Sequence, residues 1–274
     1  DYIRNNIKNN VQSINKWLTK ARPHGEILNI VSGGPSFLKY KDYLKSTQSK
    51  IMCVKHSLPM LLKEGITPWA CNILDPRPID GTSTHGIVRK ELFNEIPKET
   101  IFFVSSMTDI SVVKYLKQKG AKIIGWNAYS DAIIEKTGQG NKVVIPKELG
   151  VPEDTVLLTG GTCAAMRAIS VGHTLGFRNF KLYGFDCSVP EPKNKDELDS
   201  AGRKKYLHVT TNDKKFWTTG ELLAMAQDCE KLFQRQDVDM HMEMYGEGSL
   251  VSELWKTGGR KEHPEYENTL FNND

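Results

Sequence analysis

Short apolar runs recur along this chain, each followed by a stretch with helical spacing, and this alternation restricts the fold more than any other feature. ILNIV (27–31), KIMCV (50–54), WACNIL (69–74), IFFVSS (101–106), AKIIGW (121–126), VLLTGG (156–161) and NFKLYGFD (179–186) read as strands. Runs this short and this uniformly apolar suit strands covered on both faces, and the segments between them are long enough for helical crossovers. The expected fold class is α/β: a Rossmann-like, doubly wound, mostly parallel sheet with helices on both faces.

Helices are expected at about 37–45, 58–63 (ended by Gly65), 109–119, from Ser130 onward, 162–175 and 218–235. In the last of these, Glu221 stands three residues past Thr218, the pattern of a capping box. Ile3, Ile7, Val11, Ile14 and Leu18 repeat at three- and four-residue spacing, so residues 2–20 read as an amphipathic helix outside the first strand. Residues 137–154 read as irregular, and the polar, lysine-rich stretch 187–216, with Pro190 and Pro192, as a long lid-like loop. VDMHMEM (238–244) alternates like a further strand, and GEGSL opens a short last helix. The division expected is an N-terminal helix (1–24), one Rossmann-like domain (25–255) and a polar tail (256–274).

Composition narrows the partners. The formal charge of +4 comes from 37 basic residues scattered among 33 acidic ones, which favours a small anionic ligand over a nucleic-acid groove. No apolar run approaches the ~20 residues of a membrane helix, and the start carries no leader pattern. Asp1 stands where an initiator Met would, so a trimmed start is expected. Cys53, Cys71, Cys163, Cys187 and Cys229 are odd in number and form no CxxC pair. They read as thiols of a cytoplasmic protein rather than as disulfides or zinc ligands.

In a parallel sheet, ligands gather beyond the carboxyl ends of the strands. Four segments fall there: Ser32-Gly33-Gly34-Pro35-Ser36, Asp75, Gly160-Gly161-Thr162 and Asp186. The first lacks the Lys-Ser/Thr ending of a Walker loop and the third glycine of a dinucleotide fingerprint. Its amides are expected to face a phosphate or a sugar hydroxyl, although a tight strand-to-helix turn would use the same residues. Thr162 is placed to cap the helix that follows the second glycine turn. Lys55 and His56 end the second strand, where either meets a phosphate. Asp75 and Asp186 suit a ribose, a metal or a cap. His208, beside Thr210 and Thr211, suits general-base work. His24, His85, His173, His241 and His263 have no evident partner.

IVSGGPSFLKYKDYL, VKHSLPMLLKEGITPWACNILDPRP, LLTGGTCAAMRAISVGHTLGFRNFKLYGFDCS and HVTTNDKKFWTTGELLAMAQDCEKLF, in that order, resemble the 6-hydroxymethylpterin diphosphokinase-like family. That family includes the motility-associated-factor glycosyltransferases of bacterial flagellin. The likeness runs over about 26–255, with the first helix outside it. The same order is similar to bacterial sialyltransferases that use CMP-activated sugars. In that comparison Gly33 to Ser36 fall on the loop near the nucleotide, Gly160 to Thr162 on the loop that holds the donor, and His208 on the general base. The sialyltransferases carry asparagines where this chain has Gly33 and the Lys55-His56 pair, and tyrosines where it has Lys181 and Ser188. Those differences bear on a CMP-nonulosonate donor; Lys55 offers another way to neutralise a phosphate.

The resemblance implies a nucleotide-dependent transferase, with a glycosyltransferase favoured. A nucleotide-activated sugar and a hydroxyl acceptor are its substrates, His208 and Asp186 its catalytic residues, and no cofactor is needed. The alternative is diphosphokinase chemistry with ATP, in which Mg2+ is held by Asp75 and Asp186. A third reading is a nucleotide-binding module without catalysis. Self-association of the chain is left open.

Overall fold

The structure, a computed structural model, describes residues 2–81, 86–130, 133–137, 140–143, 150, 152, 154–199, 201–235 and 239–257. The expected tail beyond 257 lies outside the described residues. Eight strands form the main sheet: β1 (His24–Val31), β2 (Lys50–Val54), β3 (Ala70–Ile73), β4 (Ile101–Ser105), β5 (Lys122–Ala128), β8 (Leu157–Leu158), β9 (Phe177–Tyr183) and β12 (His241–Tyr245). Every neighbouring pair is parallel, in the order β12-β9-β1-β2-β3-β4-β5-β8.

The apolar runs split by alternation, as strands buried on both faces must. Leu28, Ile30, Met52, Val54, Ala70 and Phe103 point to one core layer. Val31, Ile51, Cys53, Cys71, Ile73, Phe102 and Val104 point to the other. The first layer is closed by α5 (Ala164–Thr174), α6 (Gly220–Gln234) and α7 (Leu250–Thr257). The second is closed by a 3-10 turn at Pro35–Tyr40 running into α2 (Lys41–Ser46), by α3 (Leu58–Lys63) and by α4 (Ile110–Gln118).

From β1 the chain steps in one direction as far as β8. It then returns through α5, which packs over β1, β2, β3 and β9, and enters the sheet on the other side of β1. The strand order therefore reverses between β1 and β9, the position where such sheets open a crevice.

Five expectations need correction. The first helix, α1 (Tyr2–Ser13), stops well before residue 20. Residues 16–18 instead run extended beside β5, with Leu18 N donating to Gly125 O at 2.8 Å and Gly125 N to Lys16 O at 2.8 Å. Helix α1 lies against α4 rather than outside β1, because Ile7 belongs to the same buried layer as Val112, Val113 and Leu116. Where a helix was expected from Ser130, β6 (Ile134–Thr137) and β7 (Gly140–Val143) make an antiparallel hairpin; Gly138 and Gly140 would each weaken a helix by about 1 kcal/mol.

Within the expected loop 187–216, β10 (Tyr206–Thr211) and β11 (Lys214–Thr219) form a second antiparallel hairpin. Its turn residues Asn212 and Asp213 both have positive φ, 48° and 58°, the conformation of a tight two-residue hairpin turn. Val189 N donates to Trp217 O at 2.8 Å, which fastens the preceding segment to β11. Finally, the cap of α6 is Thr219, whose side chain accepts from Leu222 N; Thr218 is a buried strand residue that donates to Cys187 O at 2.8 Å. No helix among the described residues is long and apolar enough to cross a membrane.

Candidate anion-binding site at the carboxyl edge of the sheet

The four predicted segments do reach the carboxyl edge, but four amides of the two glycine turns are taken up by the protein itself. At the first, Ser32 N donates to Tyr183 O at 2.8 Å and Gly34 N to Gly184 O at 2.9 Å. Asp186 accepts from Ser36 N at 3.0 Å and from the Ser36 hydroxyl. Pro35, which opens the 3-10 turn, has no N–H to offer. The amides expected to face a phosphate from Ser32, Gly34 and Ser36 are therefore engaged. Gly34 meets a packing demand instead: a Cβ there would lie 2.5 Å from Asp186 Cγ and 2.6 Å from Gly184 O.

The second turn is closed in the same manner. Asp228 on α6 accepts from Thr162 N at 3.0 Å and from Thr162 Oγ1 at 2.9 Å. Arg167 holds the carbonyls of Gly161 and Tyr129 at 2.9 Å each, together with that of Leu158. Gly160 and Gly161 take φ of 125° and 74°, which side chains rarely adopt. The N-cap of α5 is Cys163, not Thr162. The start of α5 folds back over β3, where Asn72 Nδ2 donates to Ala164 O at 2.8 Å. Two strand spacings, about 10 Å, then separate it from β1.

Between the two turns the edge is basic. Lys55 is 5% exposed and pairs with Asp75. Arg77 holds the same carboxylate in a fork, Nε to Oδ1 at 2.9 Å and Nη2 to Oδ2 at 2.8 Å, while its backbone N–H also reaches Oδ1 at 3.0 Å. Burial, and then Arg77, lowers the Lys55 pKa to about 8. His56 follows at the rim, its Cβ 3.3 Å from where a side chain on Gly33 would begin. Its ring is exposed in part, yet desolvation, followed by the charges of Lys55, Arg89 and Arg77, lowers its pKa to about 4. The charges of Lys55, Arg77 and Arg89 thus act on a neutral imidazole, with the Asp75 carboxylate among them. Positive charge left over beside a strand-end crevice suits an anionic ligand.

His208 lies elsewhere on this edge. It stacks on its cross-strand partner Trp217 with ring centroids 4.6 Å apart, in a cleft of about 560 Å³. Lys195, Lys215 and Glu191 also line the cleft, and Ser188 and Gly248, just past β9 and β12, form its inner wall. Ser188 Oγ donates to Asp186 O, so the cleft adjoins the first glycine turn through Asp186. Asp75 and Asp186 stand at the ends of β3 and β9, three strand spacings or about 14 Å apart. With Asp75 clamped by two cations and Asp186 engaged by Ser36, the pair does not fit one magnesium site. Among the described residues no group of three or more His, Cys, Asp or Glu is placed to hold a metal. All five cysteines are free thiols.

Arg77, Arg89, Asp228 and Trp217 escaped the sequence reading. Arg77 had a signal, since an aspartate often bonds the backbone two residues on. Asp228 had none, being 66 residues from the turn it closes.

A comparison with curated proteins finds no match. Among solved structures, a Maf glycosyltransferase from Magnetospirillum magneticum AMB-1 is similar over 90% of this chain, with a TM-score of 0.59 and 13% identity. This chain spans 37% of that one, and at such identity the likeness is one of fold. The family model of the 6-hydroxymethylpterin diphosphokinase MptE-like proteins matches residues 2–192. That range includes α1, which the sequence reading had left outside, and ends before the hairpin that carries His208. Taking in both glycine turns and the whole basic edge, the match shows that this chain belongs to the 6-hydroxymethylpterin diphosphokinase MptE-like family.

Proposed function

We propose that the protein is a transferase that binds a phosphorylated donor along the carboxyl edge of its sheet, and that the donor is a nucleotide-activated sugar. The observation that carries this reading is the excess of positive charge at Lys55, Arg77 and Arg89, around His56 and beside the β1–β9 reversal. The donor phosphate sits on these cations, next to Gly33, and the sugar points toward β9 and β12. An acceptor hydroxyl enters the cleft lined by Trp217, Lys195 and Lys215.

His208 takes the proton of that hydroxyl as its oxygen bonds to the anomeric carbon. The bond from that carbon to the phosphate oxygen breaks, and the basic edge stabilises the charge that leaves. Asp186 shapes this path by fixing Ser36 and, through its carbonyl, Ser188. The engagement of Asp75 by Lys55 and Arg77 favours this chemistry over magnesium-dependent pyrophosphoryl transfer, because those carboxylate oxygens would first have to leave two cations.

Thermal-shift measurement against CMP, CDP, UDP, GDP, ATP and their sugar conjugates, with and without magnesium, tests the proposal. A ligand at 100 times its Kd stabilises by about 2.7 kcal/mol, a rise of roughly 5–10 °C for a domain of this size. His208→Ala is expected to keep that shift and lose turnover. Absence of stabilisation by any nucleotide or conjugate refutes the reading, and binding without turnover of any conjugate favours a non-catalytic module.

A further inference from the structure

We infer that the N-terminal helix is a positioning element for the basic edge, acting through Tyr2, Asn6 and Asn10 on the turn that carries Asp75 and Arg77. Helix α1 uses two faces. Ile7 packs into the layer shared with α4, with Ile3 and Val11 against it. Tyr2, Asn6 and Asn10, four residues apart, form the other face and meet backbone carbonyls of the loops after β3 and β4.

Asn6 Nδ2 donates to Pro76 O at 3.3 Å and to Met107 O at 3.1 Å. Asn10 Nδ2 donates to Ser106 O at 2.8 Å and to Thr108 O at 2.6 Å. The Tyr2 hydroxyl donates to Pro76 O as well. Both asparagines are buried, at 3% and 0% exposure. Asparagine is a poor helix former, and a buried amide is costly unless bonded, so packing alone would place apolar residues here. What the amides supply is donors for backbone carbonyls, of which those of Ser106 and Thr108 are in buried residues.

Pro76 lies between Asp75 and Arg77, and Asp75 O in turn accepts from Asp109 N at 3.1 Å. The position of the carboxylate that gathers Lys55 and Arg77 therefore depends on a turn whose carbonyl is held by α1. Without that hold the turn relaxes and the Arg77 charge moves away from His56.

The test uses the full chain with Asn6→Leu, which keeps the bulk and removes the donors. Tyr2→Phe, on an exposed residue, removes one donor to the same carbonyl in a variant that keeps its fold. Ile7→Ala serves as a packing control. NMR titration of the His56 ring is the first readout and inorganic pyrophosphate affinity the second. In Asn6→Leu, and more weakly in Tyr2→Phe, the His56 midpoint is expected to climb from about 4 toward the ordinary 6.5. Pyrophosphate affinity is expected to fall about five- to tenfold, the loss of one or two hydrogen bonds. Ile7→Ala lowers the melting temperature at least as much and moves neither readout.

An unchanged His56 midpoint in both Asn6→Leu and Tyr2→Phe overturns the inference, as does an equal change in Ile7→Ala. The pyrophosphate readout rests on the phosphate-binding proposal. If the unaltered protein does not bind pyrophosphate, that proposal fails while the His56 midpoint still decides this one.

Discussion

Replacing Gly34 by alanine adds a methyl group where the reversal point has no room for one. The backbone of Gly34 is extended, φ −76° and ψ 142°, so alanine suits its conformation and only space opposes it. The new Cβ would lie 2.6 Å from Gly184 O and 2.5 Å from Asp186 Cγ. Relief requires the segments just past β1 and β9 to separate by about 0.8–0.9 Å to reach ordinary contact, and the hydrogen bond from Gly34 N to Gly184 O, 2.9 Å long, lies in the path. Overpacking costs about 1–3 kcal/mol and the lost hydrogen bond about 1 kcal/mol, so Gly34→Ala is expected to destabilise by roughly 2–4 kcal/mol. Urea unfolding followed by circular dichroism reads this directly. Gly33→Ala is the contrast, since its Cβ would meet only His56 Cβ at 3.3 Å. That variant is expected to lose under about 1 kcal/mol while narrowing the approach to the basic edge. A Gly34→Ala protein as stable as the unaltered one would refute close packing as the reason for this glycine.

Lys55→Met removes a cation beside His56, and the imidazole midpoint is expected to rise from about 4 in an NMR titration; no movement would remove Lys55 from the cluster. The His241 ring 3.5 Å away, a hydrogen bond from Tyr245 and the charge of Lys181 hold the Glu243 pKa at about 2. The folded-state value is depressed, so this stability is present above pH 4.5 and is lost as pH falls from 4.5 toward 2. It amounts to on the order of 2 kcal/mol, and urea unfolding of Glu243→Gln at pH 6 and pH 3 should show the smaller loss on acidification. Thr219→Ala should cost about 1 kcal/mol through the lost cap of α6. Thr218→Val should cost a similar amount through the Cys187 carbonyl it leaves unpaired, and equal tolerance of both changes in thermal melts would refute the two roles.

The strands were legible because each carries its own signal. KIMCV became β2 and LPMLLK became α3 with the expected bounds, since burial on both faces and a Pro start are written locally. The hairpin at 206–219 was missed for a related reason. Its strands lie apart from the main sheet, so paired lysines and threonines stand where a buried strand would be apolar, and Asn212-Asp213 is a weaker turn signal than Asn-Gly. At the site, the positions of Lys55, His56, Asp75 and Asp186 at strand ends followed from the alternation. Their partners did not. The amides of Ser32, Gly34, Ser36 and Thr162 are taken up within the protein, and nothing near Ser36 or Thr162 in sequence announces Asp186 or Asp228.

By itself the sequence determined the α/β class, most of the strands and helices, and the edge on which the candidate residues stand. All of these follow from spacing of 2 or 3.6 residues within a dozen positions. Only the tertiary structure decided that β9 returns beside β1, that two carboxylates close the glycine turns, and that Arg77, Arg89 and Lys55 surround His56. The physical reason is range: Ser36 and Asp186 are 150 residues apart. Such a pairing is selected by packing of the whole sheet, in which a charge or an amide takes the partner that burial leaves beside it.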